Sequence, residues 1–399
     1  MKKKLLAVAV AGALAAPGLA LAQSSVTISG VFKASLESLR IGSPNAPRAG
    51  LNTSENRVAD DSSRILFNVV EDLGGGLQAI GQADLRMPMA SGNVVAMSGN
   101  THVGLRSARL GRIFVGRQDV HYGNTESDMS VLAGDLRADS ISLMAYMANG
   151  VAIANATRTP NIIHYTTPNF GGFTAIVAYS TGPTGSATGQ PNVSNVGGPA
   201  AVGATAAQQS DLASGIRKGN AVNINPNYAA SNWQVGYSYW NMKPDGGQTI
   251  SASPAQLDQR SNKLYGSFKI AGFKIGLAWD KSRLRGNTGA TAGLVTNDRT
   301  AWSLPISYIM GNNGFHFHYT KARDDKATAI QDGAKMVALS YQYTLSKRTS
   351  VGLTYAKITN DAGAAYNFFT STSLGNSAGS AITAGEDPRM FAGTIRHAF

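Results

Sequence analysis

The sequence predicts an all-β fold, a sixteen-stranded antiparallel transmembrane β-barrel with short turns at one rim and long loops at the other. Three observations predict it. Apolar residues alternate with polar or small ones in segments of about ten residues along the whole chain, the signature of strands with two unlike faces. The apolar faces are rich in Tyr, Trp and Phe, while the opposite faces hold mainly Gly, Ser, Thr, Gln and Ala. The connections alternate short and long. Charged residues make up 15% of the chain, against roughly 25% in ordinary soluble domains.

The chain opens with Lys2, Lys3 and Lys4, the apolar run Leu5 to Ala16, and Ala20-Leu21-Ala22 before Gln23. This order reads as a secretory leader over 1–22, leaving 23–399 as the expected barrel unit. No later run reaches the 18 or so apolar residues of a membrane helix. Period two is plain in Phe273, Ile275, Leu277 and Trp279, which alternate with Lys274, Gly276, Ala278 and Asp280. Trp233, Val235, Tyr237 and Tyr239 repeat the pattern, as do Val337, Leu339, Tyr341, Tyr343 and Leu345.

The same reading places strands near 26–40, 62–72, 77–87, 101–107, 111–118, 161–167, 173–180 and 220–229. It continues with 233–241, 262–270, 273–281, 299–308, 314–322, 334–345, 349–360 and 388–399. Short joints such as Gly74-Gly75-Gly76 and Ser346-Lys347-Arg348 alternate with long ones such as 119–160 and 361–387. A soluble sandwich would put charge on the face opposite its core, and this chain does not. Short turns on one side, long loops on the other and an even strand count describe an outer-membrane barrel with both termini in the periplasm. Sixteen strands enclose a water-filled channel, whereas eight are filled by side chains. Pro305 cannot donate to a ladder, so a bulge is expected there.

Other chemistries are weaker readings. With no cysteine, disulfides, thiolate metal sites and cysteine nucleophiles are excluded. Gly74 to Ala79 spells G-x-G-x-x-A but continues as a strand rather than a helix, so it is a turn and not a nucleotide loop. Gly375 to Gly379 spells G-x-S-x-G in a Ser/Gly/Ala-rich loop without the strand and helix of a nucleophile elbow. His316 and His318 share one strand face with no assignable third metal ligand, and read as a lumenal polar pair. The net charge of +12 is dispersed along strands, with no arm or helix to enter a nucleic-acid groove.

Several blocks carry a family resemblance. Ser63-Arg64-Ile65-Leu66-Phe67 followed by Glu71 to Leu77 resembles the second-strand signature of Gram-negative general porins of the beta-proteobacterial type. Gly116-Arg117-Gln118, Tyr165 to Phe173, Leu345 to Thr349 and Ile395 to Phe399 are similar to further blocks of that family, in order along the chain. The resemblance implies a homotrimer in the outer membrane, in contact with its lipid, passing small hydrophilic solutes and ions by passive diffusion. It implies no enzyme and no cofactor, and a third long loop that folds inward to narrow the channel. Terminal Phe399 then belongs to the signal read by the barrel-insertion machinery. The alternatives are a substrate-selective porin with an ordered solute site and a barrel enzyme, the latter lacking an assignable Ser–His pair.

Arg64 and Arg158 fall where relatives place constriction arginines; Gly99 and Asn100 stand where strongly basic relatives place further cations. Alternation puts Lys33, Arg64, Arg86, Arg106, Lys274 and Arg299 on the lumen wall against Glu37, Asp84 and Asp280. The third loop opposes the arginines with Asp119, Glu126, Asp128, Asp135 and Asp139, against Arg137 and His121. The expected balance is a weak-to-moderate preference for anions.

Overall fold

The computed structural model describes residues 24–44, 52–87, 89–90, 97–125, 138–148, 150–183, 219–244, 257–287, 289–369 and 382–399. The expected leader and Glu126, Asp128, Asp135 and Arg137 lie outside the described residues. Strands run in chain order as β1 (Ser25–Gly42), β2 (Ser54–Asp60), β3 (Arg64–Gly74), β4 (Leu77–Arg86), β5 (Thr101–Ser107) and β6 (Gly111–Asp119). Then come β7 (Arg158–Thr166), β8 (Phe173–Ser180), β9 (Asn220–Ala229), β10 (Trp233–Lys243), β11 (Leu257–Ile270) and β12 (Phe273–Gly286). The last are β13 (Val295–Met310), β14 (Asn313–Ala322), β15 (Ala334–Thr344), β16 (Thr349–Asn360) and β17 (Asp387–Ala398).

All neighbours pair antiparallel, and β1 meets β17 across Val31–Gly42, so the sheet closes on itself. Closure is what lipid demands, because every strand's N–H and C=O must find a partner within the sheet. On its other side β1 pairs with β3 through Ser25–Val31 and with β2 through Ala34–Arg40. β2 and β3 are therefore two arms of one strand position, and the seventeen segments make sixteen strands. The upper arm was not expected from the sequence. Asp60 and Asp61 break the alternation, and Ser62 takes a positive φ of 72° between the arms.

The pleat separates two environments. On β12, Leu277 and Trp279 are 57% and 44% exposed, while Ala278 and Asp280 between them are fully buried. Leu339, Leu353, Phe391 and Ile395 are likewise exposed on the outer face. The apolar face thus points outward to lipid, as the period-two reading requires. His316 and His318 point inward while Phe315 points out.

Pro305 produces no bulge. β13 pairs with β14 without a break through Pro305↔His318, and the register with β12 is unchanged on either side of it. Only the β12 rungs at Leu304 and Pro305 are missing, so the absent N–H costs two pairings and no shift. The β12–β13 irregularity lies instead between Leu284 and Arg285.

The seam is closed by the last residue. Gly30 N donates to the Phe399 carbonyl at 3.0 Å, and Phe399 N donates to the Gly30 carbonyl at 3.1 Å. The Phe399 ring lies over Gly30, where an added Cβ would sit 2.6 Å from its Cζ. The ring also packs on Phe32, with centroids 5.0 Å apart.

Candidate functional site

The described parts of the third loop, between β6 and β7, fold into the barrel and dock on the wall opposite β1. The loop's first shoulder, a single turn at His121–Asn124, reaches four strands. His121 N donates to Asn223 Oδ1 on β9 at 3.3 Å, and the ring nitrogens lie 2.9 and 2.8 Å from the hydroxyls of Ser238 on β10 and Ser261 on β11. The Tyr122 hydroxyl donates to the Asp280 carboxylate on β12. Lys263 of β11 donates to Thr125 Oγ1 at 2.6 Å, its ammonium 5.1 Å from the centre of the Tyr122 ring.

The second shoulder is the helical turn α1 (Ile141–Met144). Just before it, Asp139 Oδ1 accepts from Ile141 N at 3.1 Å. Arg299 on β13 donates to the carbonyls of Leu143, Met144 and Tyr146 and pairs with Asp280 at 3.3 Å. A third station holds the loop's return: Gln259 Oε1 accepts from Ala154 N at 3.1 Å, and Gln259 Nε2 donates to Ala152 O at 3.0 Å. Leu143, Met144 and Met147 are fully buried in one cluster with the lumenal Ala301, Ala322, Ala338 and Ala356. The small inward side chains of β13–β16, read from sequence as water-facing, are a dry socket for this loop. Alanine leaves room for the loop's larger side chains to pack.

Burial and the Lys263 charge hold the His121 imidazole well below its ordinary pKa of 6.5. The docked ring therefore stays neutral while a released one titrates near 6.5. Below that pH protons favour the released loop, and docking is expected to weaken as pH falls. The heat-unfolding temperature should drop between roughly pH 7 and 5, and His121→Gln should flatten that drop. An equally steep profile in the variant would refute the assignment.

The wall that the loop leaves open carries the cations. Lys33, Arg64, Arg86 and Arg396 face inward on β1, β3, β4 and β17, with Arg64 directly opposite Arg86 and Lys33 opposite Arg396. Arg86 pairs with Asp84 at 2.8 Å and feels the charges of Arg158 and Arg64. Arg64 makes no ion pair among the described residues. Arg158 opens β7 rather than ending the loop, and lies 3.6 Å from Asp119 at the loop's stem. Asn100 adds to that stem, donating to Asp119 Oδ2 at 2.7 Å while its own backbone N donates to Asp84.

All nine lumenal assignments by alternation face inward, but they do not form one electrostatic wall. Asp280 and Arg299 are buried under the loop as its anchors. Glu37 accepts from Arg57 at 2.9 Å. Arg106 lies among the short turns rather than at the neck, its guanidinium held by Gln78 Oε1 at 3.0 and 2.9 Å. Of the loop acids, Asp139 accepts from the backbone at the entry to α1 and Asp119 is a stem partner. The sequence reading missed Lys263, Arg57, Arg112 and Arg396. Their parity is the same signal that placed the others, since Lys263 stands opposite Asp280.

A closed sixteen-strand barrel with an apolar outer belt, long loops at one rim and a loop folded across its lumen is an outer-membrane channel. A sequence model described as Gram-negative porin matches residues 7–363, and the chain belongs to that family. It is 32% identical over 190 residues to outer membrane porin protein 32 of Delftia acidovorans, covering 45% of this chain and 50% of that one. The chain thus spans about half the length of that relative. It is 24% identical over 387 residues to an outer membrane porin protein of Bordetella pertussis, covering 88% and 92%. The fold is similar to that of an anion-selective porin from Comamonas acidovorans, with a TM-score of 0.68, 21% identity, and 94% and 100% of the two chains covered. OmpT of Vibrio cholerae in a trimer form gives a TM-score of 0.60 at 12% identity, covering 94% and 99%.

Proposed function

We propose that this channel passes small hydrophilic solutes by diffusion with a weak-to-moderate preference for anions. The observation that carries the reading is the inward row of Lys33, Arg64, Arg86 and Arg396 on the wall facing the docked loop. At a narrow neck with low-dielectric walls such a row focuses field lines and raises local anion concentration. Charges elsewhere on the barrel are screened beyond about 8–10 Å at physiological salt. The Asp84 and Asp119 carboxylates pair with Arg86 and Arg158 and reduce the preference, leaving Arg64 as the strongest contributor. The similarly folded Comamonas porin is anion-selective, which supports the same sign. In unequal salt the wild-type reversal potential is expected to favour anions, and an Arg64→Ala, Arg158→Ala double variant to move it toward zero. A cation-favouring wild type, or a potential untouched by both substitutions, defeats the reading.

The outer surface supports a homotrimer. Every tryptophan and every strand tyrosine lies between β7 and β16, so β17 and β1–β6 carry no girdle tryptophan or tyrosine. That arc presents Ile65, Phe67, Ala79, Gly81, Ala83, Val103 and Val115, smooth and apolar, as a surface covered by neighbouring subunits rather than lipid headgroups. Gly30 on β1 is itself covered by the Phe399 ring, so the contact centres on β3–β6. The expected result is a detergent-resistant trimer on a semi-native gel that collapses only on heating. A monomer at every temperature counts against it.

A further inference from the structure

Arg106 on β5 and Arg112 on β6 stand directly opposite each other in the ladder, both facing the lumen at the short-turn end of the barrel. Like charges directly opposed across two strands destabilise the pair, so such an arrangement normally carries a compensating acid. Neither arginine forms an ion pair among the described residues, and Asp72, on the same rung beyond Gln78, accepts from Gly74 N instead. Arg112 feels one charge, that of Arg106. Its guanidinium rests 5.1 Å from the centre of the Phe114 ring, a contact that orients it without supplying an acceptor. Phe114 is itself fixed between His102 and His164, with centroids 4.1 and 4.5 Å away. Arg106 is steered by Gln78 Oε1, which satisfies Nε and Nη2 and leaves Nη1 unused.

The two arginines border an open cavity of about 440 Å³ that also presents Gln78, Thr166, Thr167 and Asn169. Gly111 permits this shape. Its φ is +85°, and a Cβ there would lie 2.2 Å from the Thr166 carbonyl.

We propose that this cavity is an anion-binding site at the periplasmic mouth, separate from the neck, that takes a compact divalent oxyanion of the phosphate type. The two guanidinium groups supply two positive charges, a planar donor fork on Arg112 and the unused Nη1 of Arg106, which a dianion with several acceptor oxygens matches and chloride does not. The threonine hydroxyls and the Asn169 amide add neutral donors of the kind that fix orientation in small-ligand sites. The site holds a leaving or entering anion at the periplasmic end, and it rests on the reading of the barrel as an open channel.

The test uses the purified wild-type channel in planar bilayers, with inorganic phosphate added to a constant chloride background. Chloride conductance should fall saturably with phosphate. Arg112→Ala should raise the half-saturating concentration about tenfold or more, the loss of one charge-assisted bidentate contact. Arg112→Lys, which keeps the charge and loses the fork, should raise it severalfold and serves if the alanine variant does not insert. A strictly linear response to phosphate in the wild type, or the same half-saturation in both variants, overturns the proposal. The reversal potential in simple salt reads the neck, so an anion-preferring channel without saturation leaves the preceding reading standing. Saturation in a cation-preferring channel would do the reverse.

Discussion

Replacing Arg299 with leucine is expected to free the second shoulder of the third loop, giving a channel of higher single-channel conductance and lower heat resistance. Arg299 is fully buried, and one side chain holds both the loop's backbone and the Asp280 carboxylate. Its donors satisfy three loop carbonyls that would otherwise face an apolar alanine socket. Breaking a buried pair by removing one partner costs about 3–5 kcal/mol, because the remaining charge stays desolvated. Asp280 keeps Tyr122, Ser261 and Ser282 as donors, so the first shoulder should stay docked while the second lifts. A companion Asp280→Asn, Arg299→Leu variant removes both charges and should recover part of the stability without restoring the narrow channel. Unchanged conductance in the single variant would show that Arg299 does not hold the constriction.

Deleting Phe399 should sharply lower the amount of folded channel in the outer membrane. Two backbone hydrogen bonds and one aromatic contact at the β1–β17 seam end with that residue. The family resemblance adds a second role, recognition of the terminal aromatic by the insertion machinery. Gly30→Val separates the two roles. It keeps the terminal residue but places side-chain atoms where the Phe399 ring and the Arg64 carbonyl of β3 now lie, so it disturbs the seam on both sides of β1. Refolding into detergent micelles, where no machinery is present, reports the seam alone. If seam packing dominates, both variants refold poorly; if recognition dominates, the deletion refolds normally and fails only in cells. Wild-type levels of folded deletion variant in the membrane fraction would refute both roles.

Much of the architecture is legible in the chain because a barrel wall is a local object. Each strand's faces follow from period two, so Leu277 and Asp280 could be assigned to lipid and lumen without knowing any partner. The turns are equally local: Gly74, Gly75 and Gly76 all adopt positive φ, a conformation glycine takes at little cost. The arm at Ser54–Asp60 escaped because the Asp60 carboxylate turns the chain at Ser62 and Ser63 as a loop would, while Lys33 N, donating to Ser63 Oγ at 2.9 Å across the sheet, keeps both arms on β1. The Pro305 bulge was over-predicted for the opposite reason. A local rule foresaw a missing donor, but the ladder to β14 carried the register through it.

Residue order alone was enough for the sixteen-strand barrel, its orientation, the sign of each face and the lumenal position of Lys33, Arg64 and Arg86. These follow from alternation and from loop length, properties that each segment carries alone. Which charges remain in the channel depends on contacts that form only in three dimensions. His121 meets Ser261 across 140 residues, and Arg299 reaches the Leu143 carbonyl across 156. No period or spacing encodes those separations. They arise when the loop's apolar side chains fill a socket built from four strands, and burying Arg299 and Asp280 there removes them from the water-filled path.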